Sequence, residues 1–177
     1  MVSADDAVIG RVRMVLAPLR VVYAAMLGSM LMYWIVVQVI RMVARIPRGR
    51  DEFAAVDWLR YPLYGLGAVA CIAAFFMRRS LFDRDKLVRQ ARGRNLPEIL
   101  SLLSSSQILV FAVAEAPVVL GLVLYFVGGY LFDFYALAAA SILAFALAFP
   151  SSGDWADALN QLRAARPELF ASRPESI

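Results

Sequence analysis

Residues 108–127 read ILVFAVAEAPVVLGLVLYFV, and this stretch decides the fold. Among its twenty residues only Glu115 is acidic or basic. A hydrocarbon core about 30 Å thick is crossed by about 20 helical residues, so the run predicts a transmembrane helix. A charge at bilayer depth costs about 2.5–3.5 kcal/mol on insertion scales. A carboxyl group there is therefore expected either to be neutral or to face a partner. That makes Glu115 a candidate for binding and releasing a proton.

Three further segments on either side have the same character. Residues 21–40 form a charge-free apolar run of twenty residues. Residues 62–77 are shorter and reach spanning length, as 59–77, when Leu59 and Tyr61 join them and Arg60 snorkels toward the interface. The Ala-rich run 134–149 extends to 131–149 in the same way. With 62% hydrophobic residues and a mean hydropathy of +0.68, the chain lies well above the apolar share of soluble domains. The expected fold is all-α, a polytopic membrane protein with four transmembrane helices. Residues 1–20 read as an N-terminal cytoplasmic amphipathic lead-in, 21–149 as the four-helix transmembrane domain, and 150–177 as a cytoplasmic short helix and tail. The first apolar run is too long for the core of a cleaved signal peptide and is followed by Arg41 and Arg45, so a retained signal-anchor is expected.

The eighteen basic residues set the expected orientation. Arg11, Arg13 and Arg20 precede the first span; Arg41, Arg45, Arg48, Arg50 and Arg60 follow it. Arg78, Arg79, Arg84, Lys86, Arg89, Arg92 and Arg94 connect the second and third spans, and Arg163, Arg166 and Arg173 lie in the tail. With both termini inside, thirteen of the eighteen are cytoplasmic, as the positive-inside rule favours. The net charge of +4 is then accounted for by loops that meet anionic lipid, with no call for nucleic acid. The chain has no histidine and one cysteine, Cys71, which excludes His-ligated metal, Ser-His catalysis and a disulfide framework. No cofactor and no independent catalytic site is expected.

Between the second and third spans, the first half of the connection reads as an extension of the second helix. Gly93, Asn95 and Pro97 then break the chain. The third helix is expected to start at Pro97, with Glu98 in its first turn. The run Arg94-Asn95-Leu96-Pro97-Glu98, followed by Glu115-Ala-Pro-Val-Val-Leu-Gly121-Leu-Val, resembles the proteolipid (subunit c) of F-type ATP synthases. In that family a cytoplasmic Arg-Gln-Pro turn precedes the second arm of a helical hairpin, and a mid-helix Asp or Glu carries the ion. The likeness covers about residues 96–127 well and the second span loosely. It implies that Arg94, Asn95, Pro97 and Glu98 form the cytoplasmic turn and that Glu115 carries a proton. Leu96 is inserted in the turn, and the glycines of the family's first arm are reduced to Gly65 and Gly67. The first and fourth spans have no counterpart in the two-helix proteolipid.

Glu115 has a second reading, a neutral acid hydrogen-bonded to a Ser, a Tyr or a backbone carbonyl of a neighbouring helix. If an ion is bound, the proton is favoured over sodium, because Ala114, Ala116 and Pro117 offer no side-chain oxygen. Gly65, Gly67 and Gly121 are expected to let helices approach closely, as is the Ala136, Ala140, Ala144 face of the fourth span. Pro117 loosens backbone hydrogen bonding beside the carboxylate. Tyr33, Trp34, Trp58, Tyr61, Tyr64, Tyr130, Phe132 and Tyr135 read as outer-interface anchors. Ser151 or Ser152 caps a short helix through Trp155, Leu159 and Leu162, and Pro167 ends it.

Three functions are compatible with these residues. One is a subunit of a membrane complex in which Glu115 binds a proton; another is a non-transporting scaffold or accessory subunit in which Glu115 packs helices; the third is a small oligomeric transporter. The expected partners are the lipid bilayer and either further copies of the chain or other membrane subunits. The expected location is a bacterial plasma (inner) membrane, multi-pass, with both termini inside.

Overall fold

A computed structural model describes residues 4–43 and 54–170. The elements are α1 (Ala4–Val43), a 3-10 turn (Ala54–Leu59), α2 (Arg60–Leu81), α3 (Arg84–Gln90), α4 (Leu96–Gly128), α5 (Leu131–Ala148), α6 (Ser152–Ala165) and a second 3-10 turn (Pro167–Leu169). There is no strand among the described residues. Four stretches are helical, long and apolar enough to cross a membrane: Val15–Val43, Asp57–Leu81, Leu96–Gly128 and Leu131–Ala148. The all-α, four-span architecture expected from the apolar runs is therefore present. Arg45, Arg48, Arg50 and the tail from 171 onward, including Arg173, lie outside the described residues.

Helix boundaries differ from the sequence reading in instructive ways. The lead-in before residue 21 is helical and continuous with the first span, since α1 runs unbroken from Ala4. α2 does not extend through the following connection either. Asp83 stops it and caps α3, its side chain accepting from the amides of Asp85 and Lys86 at 3.0 and 3.4 Å. α4 begins one residue before Pro97, and its 33 residues span about 50 Å.

The chain divides into two compact units. The first comprises residues 1–22, 77–109 and 150–177. Its core joins Leu16 and Leu19 of α1, Leu87 and Ala91, Leu96, Ile99 and Leu103 of α4, and Trp155, Ala158, Leu159 and Leu162 of α6. The apolar stripe expected on α6 is thus the face it buries. Ser151 caps that helix by accepting from the Gly153 amide at 3.2 Å, and Arg78 pairs with Asp154 in its first turn at 2.8 Å. Arg166 donates to the Ala91 carbonyl at 3.4 Å, placing a cation at the C-terminal end of α3, where the helix dipole favours positive charge.

The second unit comprises residues 23–76 and 110–149. Here α1 runs parallel to α4 and antiparallel to α5. Tyr23 packs on Phe111, Phe145 and Phe149, while the other end of α1 meets Tyr125 through the Val37 carbonyl and Tyr135 through Gln38. α2 runs parallel to α5, with Arg60 and Tyr64 at Asp133 and Cys71 at the Ala140 carbonyl. Gly121 allows the α4–α5 approach. A β-carbon there would lie 3.1 Å from Leu137 and 3.2 Å from the Phe134 backbone. Gly67 meets Leu137 and Pro117 in the same way. Gly65 does not: nothing approaches within 4 Å of its β-carbon position, so its expected packing role within the chain is corrected.

Candidate functional site

Glu115 sits in the middle of α4, half-buried, and α1 supplies its partners. Ser29 and Tyr33 are four residues apart and so share one face of that helix. The Ser29 hydroxyl lies 2.5 Å and the Tyr33 hydroxyl 3.0 Å from the same carboxyl oxygen, Oε1. Ser29 Oγ is also 2.7 Å from the Met26 carbonyl, the back-bond to the preceding turn that helical serines favour. One residue before the acid, the Ala114 carbonyl accepts from the buried Ser141 hydroxyl of α5 at 2.5 Å. This carbonyl is held from the side while Pro117, three residues on, is buried within a continuous helix.

Two expectations change at this point. Tyr33, expected as an outer-interface anchor, also has its hydroxyl in the Glu115 cluster. The oxygens missing from Ala114, Ala116 and Pro117 are supplied by residues more than eighty positions away. Their spacing is that of hydrogen-bonded oxygens. The 2.5 Å separation of Ser29 and Glu115 is that of a hydrogen bond. No group of three metal-ligating His, Cys, Asp or Glu occurs among the described residues.

The turn residues form a capping box. Asn95 Oδ1 accepts from the Glu98 amide at 3.1 Å, and Glu98 accepts from the Asn95 amide and side chain at 3.3 and 3.1 Å. Pro97 takes the second helical position, where its missing N–H costs nothing. Gly93, with φ of 74°, makes the preceding reversal. Arg94 is exposed and lines a shallow depression with Pro97, Glu98, Ser101, Leu102 and Ser105. These four turn residues belong to the first unit and Glu115 to the second.

The charged pair that sequence reading passed over is Arg60–Asp133. Asp133, in the first turn of α5, is 1% exposed. It accepts from Arg60 Nε at 2.6 Å, Arg60 Nη2 at 2.9 Å and the Tyr64 hydroxyl at 3.1 Å. The guanidinium lies 4.7 Å from the centre of the Tyr130 ring, and the Tyr130 hydroxyl donates to Asp57 at 2.6 Å. That hydrogen bond, more than anything else, pushes the Tyr130 phenol above its ordinary range. A signal was available: Arg60 and Asp133 open the second and fourth spans, which begin on the same side when spans alternate. A bidentate Arg–carboxylate pair is the least costly way to hold both there.

Together these contacts define a helical bundle of membrane-spanning type whose polar side chains connect helix to helix. No family model matches the chain, and neither a curated protein nor a solved structure matches it.

Proposed function

We propose that this chain is a non-transporting subunit or scaffold of a membrane assembly, in which Glu115 packs helices together. The observation that carries this reading is the closure of two α1 hydroxyls on one oxygen of Glu115. A carboxylate that exchanges an ion must be reached and released in each cycle. This one is engaged by a helix for which the two-helix proteolipid has no equivalent. The exposed apolar faces of α1 and α2 leave room for lipid or for a further membrane subunit. The distribution of basic residues supports a plasma-membrane protein with both termini inside, and Arg60, one of the outlying cations, is neutralised by Asp133.

The competing reading is a proteolipid-like proton carrier, for which the capping box seventeen residues before the acid on one helix speaks. Carbodiimide modification in membranes separates the two. A packing residue closed off by α1 is expected to stay unmodified across the pH range, with Glu115→Gln folding and assembling as the parent does. Specific labelling of Glu115 that fades as pH rises would overturn the packing reading in favour of proton exchange.

A further inference from the structure

The hydrogen count around Ser29 fixes more than the contact distances do. A serine hydroxyl carries a single hydrogen. The oxygen neighbours of Ser29 Oγ include the Met26 carbonyl at 2.7 Å and Glu115 Oε1 at 2.5 Å, with the Tyr33 hydroxyl of the next turn hydrogen-bonded to Ser29 as well. The carbonyl can only accept. If Glu115 were a carboxylate it too could only accept, and one of the two short contacts would set lone pairs against each other. Both are satisfied together when the hydrogen between Ser29 and Glu115 belongs to the acid.

We propose that Glu115 is a neutral hydrogen-bond donor in a one-way chain that runs from the Tyr33 hydroxyl to the Glu115 carboxyl, on to the Ser29 hydroxyl and into the Met26 carbonyl. No hydrogen in that chain lacks an acceptor, and each donor strengthens the next. The charge that made Glu115 costly at mid-span is absent, and the proton becomes the link that holds α1 to α4. The groups around it are consistent with this. Ser29 and Tyr33 are its hydrogen-bond partners. Several other ionisable side chains of this unit's helices have contacts of their own: Arg60 and Tyr64 with Asp133, Arg41 with Gln38, Tyr23 and Tyr125 with the Phe145 and Val37 carbonyls, Tyr135 with Gln38, and Cys71 with the Ala140 carbonyl. This assignment rests on the packing role proposed above and states the protonation form in which that role is performed.

The test is infrared spectroscopy of the full chain in membranes at neutral pH, with carboxyl-labelled glutamate. The labelled protein is expected to show a carboxylic-acid carbonyl band that disappears in Glu115→Gln. In Ser29→Ala the band is expected to remain and move to higher frequency, because the acid O–H loses its acceptor. Tyr33→Phe should move it less. A labelled protein with carboxylate bands alone, or an acid band that Ser29→Ala leaves unmoved, overturns the proposal. An acid band accompanied by carbodiimide labelling would instead keep the neutral chain and overturn only the packing role.

Discussion

Removing Arg60 from its pair with Asp133 should be the most damaging single polar change in the second unit. Asp133 is 1% exposed and its acceptors are filled by two guanidinium hydrogens and the Tyr64 hydroxyl. Arg60→Met keeps a long stem and leaves a buried carboxylate with one neutral donor. Breaking a fully buried ion pair this way costs about 3–5 kcal/mol. The Arg60 side chain retains 39% exposure, so solvent screens part of the interaction, and about 2–4 kcal/mol is expected. Asp133→Leu should cost less, because the orphaned guanidinium can turn to water and to Asp57, 3.8 Å away. The double variant Arg60→Met/Asp133→Leu should recover to within about 1.5 kcal/mol of the parent, since an apolar pair of similar volume replaces a buried ionic one with little loss. Reversible unfolding in mixed detergent micelles, followed by the fluorescence of the three tryptophans, measures all four corners of the cycle. Additive costs with no recovery in the double variant would refute the pairing as an energetic unit. So would single costs below about 0.5 kcal/mol.

The other expectations concern smaller groups. Gly121→Ala should cost about 1–3 kcal/mol in the same assay, because its β-carbon meets the Phe134 backbone, which cannot yield, whereas Gly65→Ala should be neutral or slightly stabilising. Asn95→Ala should lower stability by about 1 kcal/mol through loss of the α4 cap. Glu168 is held below the ordinary carboxylate range by its hydrogen bond from Arg166. Its contribution is therefore complete above that range and is lost as pH falls through the depressed value. Protection of the Leu169 and Phe170 amides, bonded to the Arg166 and Pro167 carbonyls, should fall on acidification, and Glu168→Gln should abolish that dependence. Tyr130 shifts the opposite way, so its hydrogen bond to Asp57 is present below the ordinary phenol range and is lost as pH rises through the raised value. Asp57→Asn should remove this late step from the absorbance titration of the tyrosines.

What could be read in advance depended on whether the signal was local. The apolar runs predict the four spans because span length is a property of consecutive residues. The cap at Asn95 and Glu98 is nearly as local: the two residues are three apart, and the Pro97 between them marks the helix start. The Ser29–Tyr33–Glu115 cluster could be narrowed only to a residue type, a hydroxyl or carbonyl from another helix. Which hydroxyl it is depends on the rotation of α1, and an apolar helix with few polar residues gives little periodicity from which to read a face. Gly65 and Gly67 show the same limit, since residues two apart lie on different faces and only Gly67 turns to Leu137. Arg60 and Asp133 were read as ends of spans, not as partners, because seventy-three residues separate them and the pairing depends on the alternation of helix direction.

That alternation also explains why so few polar groups suffice to arrange the second unit. Within lipid, apolar side chains gain little by turning from tails to one another, so close packing and interhelical hydrogen bonds must choose the neighbours. Four helix pairings here have such a contact: Ser29 and Tyr33 with Glu115 for α1 and α4, Ser141 with the Ala114 carbonyl for α5 and α4, Arg60 and Tyr64 with Asp133 for α2 and α5, and Gln38 with Tyr135 for α1 and α5, while α2 approaches α4 closely at Gly67. The attachments are unequal. α1 is held at three levels, through Tyr23, Glu115 and the Val37 carbonyl. The hydrogen bonds of α2 to α5 start from Arg60, Tyr64 and Cys71, and the last is a 3.9 Å thiol contact. Loss of the Arg60 pair should therefore loosen α2 while leaving α1 in place. Loss of the Glu115 link should weaken α1 without detaching it, because the contacts on either side persist. A Glu115 variant that retains its fold is thus an expected property of this bundle, and it allows the protonation and labelling experiments to report on the site itself.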